Sequence, residues 1–197
     1  MFITFEGLDG SGKTTQAELL SEALRSEGRD VVTTREPGGT PLGEQVRKLL
    51  LNGRDMSAWA EAALFAAARA ELVECVIAPA LAAGNDVVCD RYIDSSLAYQ
   101  GIARDLGVER VLDLNLHATR GLLPDRTFLV LVDPKTAAVR SRSSDRIERE
   151  AEDFHRSVDQ AYRELAAMFP SRIATVDGDR PADKIAEEIR GRVRELS

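Results

Sequence analysis

Short apolar runs alternate with segments of helical periodicity along the whole chain. The runs rich in β-branched and aromatic residues occupy positions 2–5, 31–34, 87–89, 127–132 and 173–176. Helices are predicted to begin at about Lys13, Leu42, Ala58, Phe154 and Pro181, and the alanine-rich third one to extend to about Ala83. The third and fourth runs are almost entirely apolar, as expected for parallel strands covered by helices on both faces. The pattern therefore predicts an α/β fold, a single domain over 1–197 with a doubly wound, parallel, five-stranded sheet flanked by helices.

Length and charge exclude several classes of protein. The chain of 197 residues is long enough for one substantial core, and its formal net charge of −7 argues against a broad basic face that tracks nucleic acid. Glu6 and Asp9 interrupt the apolar start, so no signal peptide is predicted, and no apolar run is long enough to span a bilayer. Cys75 and Cys89 have apolar neighbours and are expected to be reduced thiols in the core. We therefore expect a cytoplasmic protein without nucleic-acid or membrane partners.

A phosphate-binding loop is predicted directly after the first strand. Residues 7–14 read GLDGSGKT, which fits the pattern G-x-x-x-x-G-K-[ST] between a strand and a helix. Backbone N–H groups of such a loop surround nucleotide phosphates, and the helix N-terminus adds a partial positive charge. Lys13 is expected to reach the β- and γ-phosphates of ATP, and the Thr14 hydroxyl to bind Mg²⁺. The residues predicted to contact the ATP phosphates are Gly7, Asp9, Gly10, Ser11, Gly12, Lys13, Thr14 and Thr15.

A second acidic position helps to separate kinases from other nucleotide-binding proteins. A GTPase would also carry an N-K-x-D segment that reads guanine, and this tetrapeptide does not occur in the sequence. Instead, Asp90 and Arg91 come directly after the third strand, where side chains point into the crevice at the carboxyl edge of a parallel sheet. Asp90 is expected to contact the metal, partly through water. The alternative is a helix N-cap or a surface ion pair with Arg91.

Several motifs together resemble bacterial thymidylate kinase, a family of P-loop nucleoside monophosphate kinases. They are FEGLDGSGKTT at 5–15, TREPGGT at 34–40, FAAAR at 65–69, DRY at 90–92 and SSLAYQG at 95–101. The motifs follow the family's order and cover the chain from residue 2 to about residue 160. The resemblance implies a P-loop kinase fold, ATP as phosphoryl donor, Mg²⁺ as cofactor and dTMP as acceptor. It also implies a homodimer joined through helices that include the long one near Phe65.

The resemblance implies a set of contacts to the base and sugar of dTMP. Phe65 would stack on the thymine ring through its π-face. Arg69, four positions later on the same helix face, would donate to the O4 carbonyl, a contact that cytosine cannot accept. Ser96 and Gln100 would complete the polar edge around the base, and Tyr99 would lie against the sugar. Without the resemblance to this family, Phe65 would be interpreted as an ordinary core residue.

The phosphate of the acceptor is assigned to arginines. By the resemblance, Arg35, Arg47 and Arg91 would hold it, because planar guanidinium groups suit phosphate oxygens. Asp9 would lie between the two substrates, and Glu36 is assigned to the substrate-binding residues with them. Taken alone, Arg47 could equally be a solvated charge on an amphipathic helix.

The predicted mechanism relies on positioning and charge, without a general base. A phosphate monoester has a second pKa near 6 and is mostly a dianion at pH 7, so it is already a nucleophile. His117 and His155 fall in helical segments away from the loops. Lys13 and Arg91 are therefore the predicted catalytic cations that stabilise charge on the transferring group. Asp9, which the resemblance places between the two substrates, is assigned to the catalytic residues with them.

Further catalytic arginines are predicted in residues 140–152, which resemble the mobile lid of the family. Four arginines fall between positions 140 and 149, and we assign the transferring phosphoryl group to Arg142 and Arg146. The loop carries Gly10 where some thymidylate kinases have an arginine, and relatives without that arginine supply one from the lid. The alternative is a solvated charged helix.

Two other functions remain open from the sequence. The first is a kinase for another nucleotide or for a deoxynucleoside. A deoxynucleoside kinase needs a carboxylate base, for which Glu6 or Glu36 could serve, but the phosphate-facing arginines would then lack a ligand. The second is a nucleotide-binding regulator that no longer catalyses transfer. The intact Lys13 and Asp90 argue against it.

Overall fold

A computed structural model of the chain describes residues 1–141 and 145–196. Its five strands form one sheet in the order β2-β3-β1-β4-β5, with every pair parallel. The strands are β1 (Phe2–Glu6), β2 (Val31–Arg35), β3 (Asp86–Asp90), β4 (Arg126–Leu131) and β5 (Ile173–Asp177). The predicted parallel five-stranded α/β sheet is confirmed.

The helices follow the predicted alternation. They are α1 (Lys13–Ser26), α2 (Pro41–Asn52), α3 (Ala58–Leu72), α4 (Ala78–Ala82), α5 (Ile93–Ser96), α6 (Val108–Ala118), α7 (Pro134–Arg140), α8 (Glu152–Met168) and α9 (Ala182–Arg194). The long alanine-rich helix ends close to its predicted position, but a π turn at Val73–Ile77 separates α3 from α4. A second π turn, Leu97–Ala103, follows α5 and carries the end of the SSLAYQG motif. Such wide turns recur at functional sites because they change the direction of side chains within a helix.

The helices cover both faces of the sheet. On one face α1 and α9 pack against the inner strands, with Leu20 and Ile189 against Phe5 and Phe128. On the other face lie α3, the two π turns and α8. None of the helices in residues 1–141 and 145–196 combines the length and the apolar character that a membrane span requires.

One cysteine prediction is wrong. Cys89 is fully buried in β3, as expected, but Cys75 is exposed on the π turn. Its apolar sequence neighbours point inward while the wide turn directs Cys75 to solvent.

The register of the sheet brings three chain segments to one edge. Phe5 in β1 and Arg35 in β2 both lie opposite Asp90 at the end of β3. The loops that follow these strands therefore leave the sheet side by side, at the carboxyl edge where α/β proteins bind ligands.

Candidate active site

The phosphate loop requires glycine at two close approaches. Gly7 and Gly10 have φ values of 142° and 83°, a region that other residues rarely adopt. A Cβ on Gly10 would lie 2.1 Å from the carbonyl oxygen of Ala137, and one on Gly7 would lie 2.5 Å from that of Val130. The loop is thus pressed against the sheet and against α7. Gly12, with φ 93°, precedes the first residue of α1 and leaves the helix N-terminus open to an anion.

Asp9 lies between two cations at the centre of the site. Its Oδ1 accepts from Lys13 Nζ at 2.6 Å and from Arg91 Nη2 at 2.7 Å. Burial would raise the pKa of Asp9, but the charges of Arg91 and Lys13 outweigh it and hold that pKa well below its usual range. Asp9 is therefore an anion that aligns Lys13 and Arg91 on its two sides.

Arg91 is held in a fixed orientation. Its φ of 69° lies in the left-handed region, and its Nη1 donates to Ser95 Oγ at 3.0 Å and to the Tyr162 hydroxyl at 3.1 Å. Burial alone would lower the pKa of Arg91, but the negative charge of Asp9 raises it well above its ordinary value. A strained backbone and a fully ionised, clamped guanidinium are typical of a residue placed for a ligand.

Thr14 and Asp90 meet as a hydroxyl–carboxylate pair that fits a divalent cation. The Thr14 hydroxyl donates to Asp90 Oδ2. Asp90 Oδ1 is buried and has no hydrogen-bond partner in the described residues, as expected for an oxygen that serves a metal or its water shell. Among those residues no group of three or more His, Cys, Asp or Glu side chains could hold a metal. Two protein oxygens suit Mg²⁺, which keeps water and phosphate oxygens as its other ligands.

A cleft of about 320 Å³ joins these groups to the segment after β2 and to α2 and α3. This volume suits a small ligand. The predicted residues that line it are Asp9, Lys13, Thr14, Arg35, Glu36, Arg47, Phe65, Asp90, Arg91, Ser96, Tyr99 and Gln100. Five further residues line it that were not assigned to the site from the sequence: Pro37, Leu51, Ser95, Asp145 and Ile147. Four of them are apolar or neutral and carry no chemical signal in a sequence, whereas the Asp145 carboxylate reaches the cleft only through the fold.

Phe65 lies in the cleft wall. It is half-buried, and it packs against two clusters of apolar core residues. The core interpretation of Phe65 is therefore incomplete, because the side chain also lines the cleft, where it could stack on a planar ligand.

Arg35 and Arg47 bring further positive charge to the cleft. Arg35 pairs with Glu44 at 2.9 Å and keeps half of its side chain exposed. Arg47 donates to the carbonyl oxygen of Pro37 at 2.9 Å, and burial, followed by the nearby charge of Arg35, lowers its pKa. Cations that destabilise one another in a cleft indicate a site for an anion.

Arg69 lies behind the cleft wall and does not line it. Only 1% of the residue is exposed. Its Nε donates to Glu36 Oε2 at 2.7 Å, and its two Nη atoms reach Ser96, Asn115 and the carbonyl oxygen of Tyr92. Contact with a base requires one of these N–H groups to exchange or share its present partner. Asn115, on α6, is a partner that sequence spacing did not reveal.

Arg146, which was predicted to contact the transferring phosphoryl group, lies away from the cleft in this structure. Arg146 is buried, and its Nη2 contacts Glu61 Oε2 at 2.5 Å while its Nε donates to the carbonyl oxygen of Leu50 at 2.9 Å. The side chain thus turns toward α2 and α3 and does not line the cleft. The other predicted lid arginine, Arg142, lies outside the described residues.

Replacing Arg146 by alanine is expected to lower the free energy of unfolding by about 3 kcal/mol, because Glu61 would remain buried with part of its charge uncompensated. Urea unfolding measures this change. Arg163→Ala, which breaks an exposed ion pair with Asp159 on α8, is the matched control and should change stability little. Equal losses in the two variants would contradict the buried pairing.

Glu148 is a carboxylate that the sequence analysis did not single out. It shares a hydrogen bond with Asp9 and lines a second cleft, of about 590 Å³, on the other side of Asp9. Burial, and then the hydrogen bond and charge of Asp9, raise the pKa of Glu148 to about 7. Because Lys13 and Arg91 keep Asp9 ionised, the proton of this pair resides on Glu148.

The two histidines differ in their distance from the site. His117 is exposed on α6, with Nδ1 2.9 Å from the carbonyl oxygen of Asp113. His155, expected to lie away from the loops, instead lines the second cleft, with Nε2 3.3 Å from the carbonyl oxygen of Glu148. The turn at residues 145–149 folds back onto α8 and creates this contact.

The Glu148 proton should be visible in the pH dependence of stability. The pKa of Glu148 in the folded state, about 7, lies above the ordinary value of 4.5. The contribution of its proton to the free energy of unfolding is therefore complete below pH 4.5 and is lost as pH rises through 7. Glu148→Gln keeps a donor for Asp9 but cannot ionise. We expect its unfolding free energy to fall less than that of the unmodified chain between pH 5 and 8, measured by urea unfolding. Glu152→Gln removes a carboxylate from the same cleft as a control, and identical profiles for the unmodified chain and Glu148→Gln would contradict the assignment.

Comparison with known proteins identifies the family. The family model for thymidylate kinase matches residues 5–189. Thymidylate kinase of Synechococcus sp. (strain JA-3-3Ab) is 49% identical over 189 residues, covering 96% of this chain and 93% of the relative. That of Symbiobacterium thermophilum is 46% identical over 200 residues, covering 100% and 94%. The crystal structure of thymidylate kinase from Ehrlichia chaffeensis superposes with a TM-score of 0.81, at 35% identity and with 98% of each chain covered. This chain belongs to the thymidylate kinase family.

Proposed function

We propose that this chain transfers the γ-phosphoryl group of ATP to dTMP, giving dTDP and ADP. One observation carries the proposal beyond family membership. A phosphate loop and three arginines face the same cleft, and the Lys13–Asp9–Arg91 bridge links the loop to one of these arginines. Such an arrangement suits two phosphate groups that must approach one another.

The donor is assigned to the loop and the acceptor to the opposite wall. Backbone N–H groups of residues 7–15 and the Lys13 side chain would surround the phosphates of ATP. The 5′-phosphate of dTMP would lie against Arg35, Arg47 and Arg91. Each guanidinium group can donate hydrogen bonds to two phosphate oxygens. Asp9 Oδ1 bridges Lys13 and Arg91 and would fix both cations between the two substrates.

Charge stabilisation then replaces general-base catalysis. The acceptor dianion attacks the γ-phosphorus as the bond to the ADP oxygen breaks. Lys13 and Arg91 stabilise the negative charge on the transferring group during this step. Thr14 and Asp90 would hold Mg²⁺, which supplies further neutralisation of the phosphate oxygens. Glu6 is unsuited as a base because it is fully buried and accepts hydrogen bonds from Tyr92, Ser95 and Tyr162.

The base of dTMP is assigned to the inner end of the cleft. Phe65 would stack on the thymine ring, with Ser96 and Gln100 at its polar edge and Tyr99 beside the sugar. The O4 contact of Arg69 also remains a proposal. Glu36 lies in the same wall, where Oε2 pairs with Arg69 while Oε1 is buried without a partner in the described residues. This oxygen is available to a donor on the substrate.

ADP release with a panel of acceptors tests the function. We expect turnover with dTMP, about tenfold less efficient turnover with dUMP because one buried methyl is lost, and none with thymidine. Faster reaction with thymidine would indicate a deoxynucleoside kinase. Failure of single-turnover transfer from labelled ATP to every acceptor would indicate a regulator.

Three further parts of the proposal concern assembly, motion and location. A homodimer through α2 and α3 would cover Leu49 and Trp59, whose exposed fractions are 55% and 45%. Light scattering measures the mass in solution, and a monomer would contradict the dimer.

Residues 140–152 are proposed to act as a mobile lid, with Arg142 at the transferring group. The enzyme is proposed to be cytoplasmic.

A further inference from the structure

Glu61 joins the base end of the cleft to the predicted lid, residues 140–152, through Arg146. The residue lies on α3 and is 1% exposed. Its Oε1 accepts from Gln100 Nε2 at 2.8 Å, and its Oε2 accepts from Arg146 Nη2 at 2.5 Å and from Arg104 Nη2 at 3.3 Å. Glu61 does not line the cleft, and nothing in the proposed reaction uses it.

The charge of Glu61 determines which end of the Gln100 amide faces it. Burial would raise the pKa of Glu61, but hydrogen bonds from Gln100 and Arg146 and the charge of Arg104 outweigh it, and the pKa is lowered. An ionised carboxylate only accepts hydrogen bonds, so Gln100 must turn its NH₂ group toward it. Neither Arg146 nor Arg104 offers an acceptor that could reverse this choice.

The other end of the amide is therefore left for the cleft. Gln100 lines the cleft, and its side-chain oxygen accepts no hydrogen bond from residues 1–141 or 145–196. A carbonyl oxygen at the wall of a cleft, without a donor from the protein, can accept a hydrogen bond from an N–H or O–H group of a ligand or of water. The cleft thus presents an acceptor at this position and cannot present a donor while Glu61 is charged.

We propose that Glu61 is a positioning residue for base specificity, which holds the Gln100 oxygen toward bases that carry an N–H group at N3. Thymine and uracil have this donor, whereas cytosine has an acceptor at the same position and would face the Gln100 oxygen with an unpaired lone pair. This inference rests on the proposed function, because it needs the base to lie beside Gln100. Arg146 and Arg104 keep Glu61 ionised, so the predicted lid supports the same selection through Arg146.

Glu61→Gln tests the proposal directly. A neutral amide at position 61 can donate or accept, so the Gln100 amide becomes free to rotate and to offer NH₂ to cytosine. We expect the ratio of kcat/KM for dTMP to that for dCMP to fall at least tenfold, with KM for ATP within twofold of the unmodified chain. Glu61→Asp keeps the charge that the arginines need but withdraws the carboxylate from Gln100. It should lower the ratio in the same direction and serves if Glu61→Gln is too unstable to assay.

A reciprocal exchange separates positioning from general support. Gln100→Glu places two carboxylates in contact and should reduce the ratio for dTMP over dCMP. When Glu61→Gln is added, the amide at position 61 can donate to one carboxylate oxygen at position 100, and the other oxygen faces the base. The ratio for dTMP over dCMP should therefore be at least fivefold higher in the double variant than in Gln100→Glu alone. A purely structural role for Glu61 predicts no rescue. Arg104→Gln removes the longer of the two arginine contacts of Glu61 and leaves the Arg146 pair and Gln100 in place, so the ratio should stay within twofold.

The outcomes distinguish this inference from the function on which it rests. If the unmodified chain does not phosphorylate dTMP, the proposed function fails, and this inference fails with it. If the chain phosphorylates dTMP but Glu61→Gln and Glu61→Asp leave the ratio within twofold, only the role of Glu61 is overturned. A double variant no better than Gln100→Glu overturns it as well.

Discussion

Replacing Lys13 by alanine should reduce kcat for phosphoryl transfer to dTMP by about 10³-fold. Lys13 is the cation of the phosphate loop, and Asp9 aligns it with a 2.6 Å contact. Because the transition state spreads negative charge over the transferring phosphoryl group, a cation aligned in advance stabilises it more than it stabilises bound ATP. The loss should therefore appear in kcat more than in KM for dTMP, measured by ADP release at saturating substrates.

Lys48→Ala is the matched control for this experiment. Lys48 is an exposed lysine on α2 that lines neither cleft. Its removal takes the same charge from the chain, so it tests whether net charge alone affects turnover. A loss of less than tenfold in Lys13→Ala, or an equal loss in Lys48→Ala, would contradict the assignment of Lys13.

Arg91→Lys should lower kcat/KM for dTMP by about 10²-fold, although the charge is retained. The planar guanidinium reaches Asp9 from one nitrogen and Ser95 and Tyr162 from the other. A single ammonium group cannot keep these contacts and bind a phosphate oxygen at the same time. The variant thus loses orientation rather than charge, and steady-state kinetics with varied dTMP measure the loss.

Arg35→Lys provides the comparison for Arg91. Arg35 faces the same cleft, but its side chain is half-exposed and its only hydrogen-bond partner in the described residues is Glu44. Since a mobile ammonium can replace a mobile guanidinium at an exposed position, the loss should be about tenfold or less. Similar losses in the two variants would show that the rigid contacts of Arg91 do not matter. Thermal unfolding checks that both variants remain folded.

The overall charge of the chain gives no indication of this site. The protein carries a formal net charge of −7, yet Lys13, Arg35, Arg47 and Arg91 line one cleft. Net charge describes the whole surface, whereas a phosphate group responds to cations within a few ångströms. The acidic balance therefore argues against broad nucleic-acid binding without arguing against a polyanionic small molecule.

Most of the fold could be predicted because it depends on local patterns. All five strands lie where apolar runs occur, and the phosphate loop and α1 follow a motif whose glycines are required by backbone geometry. The π turns could not be predicted in this way. Inserting one residue into a helix changes hydrogen bonds that the periodicity of apolar residues does not distinguish. That limit explains why Cys75 was assigned to the core and is exposed.

The sequence by itself determined the chemistry of the site: which residue types occur, in which motifs, and at which ends of strands. Only the tertiary structure decided the partners that are distant in the chain. Arg146 meets Glu61 across 85 positions and Arg69 meets Asn115 across 46. Glu148 similarly meets Asp9, which lies far from it in the sequence. The physical reason is that a motif specifies nearby backbone, whereas a long charged side chain takes whichever buried partner the folded loops bring within reach.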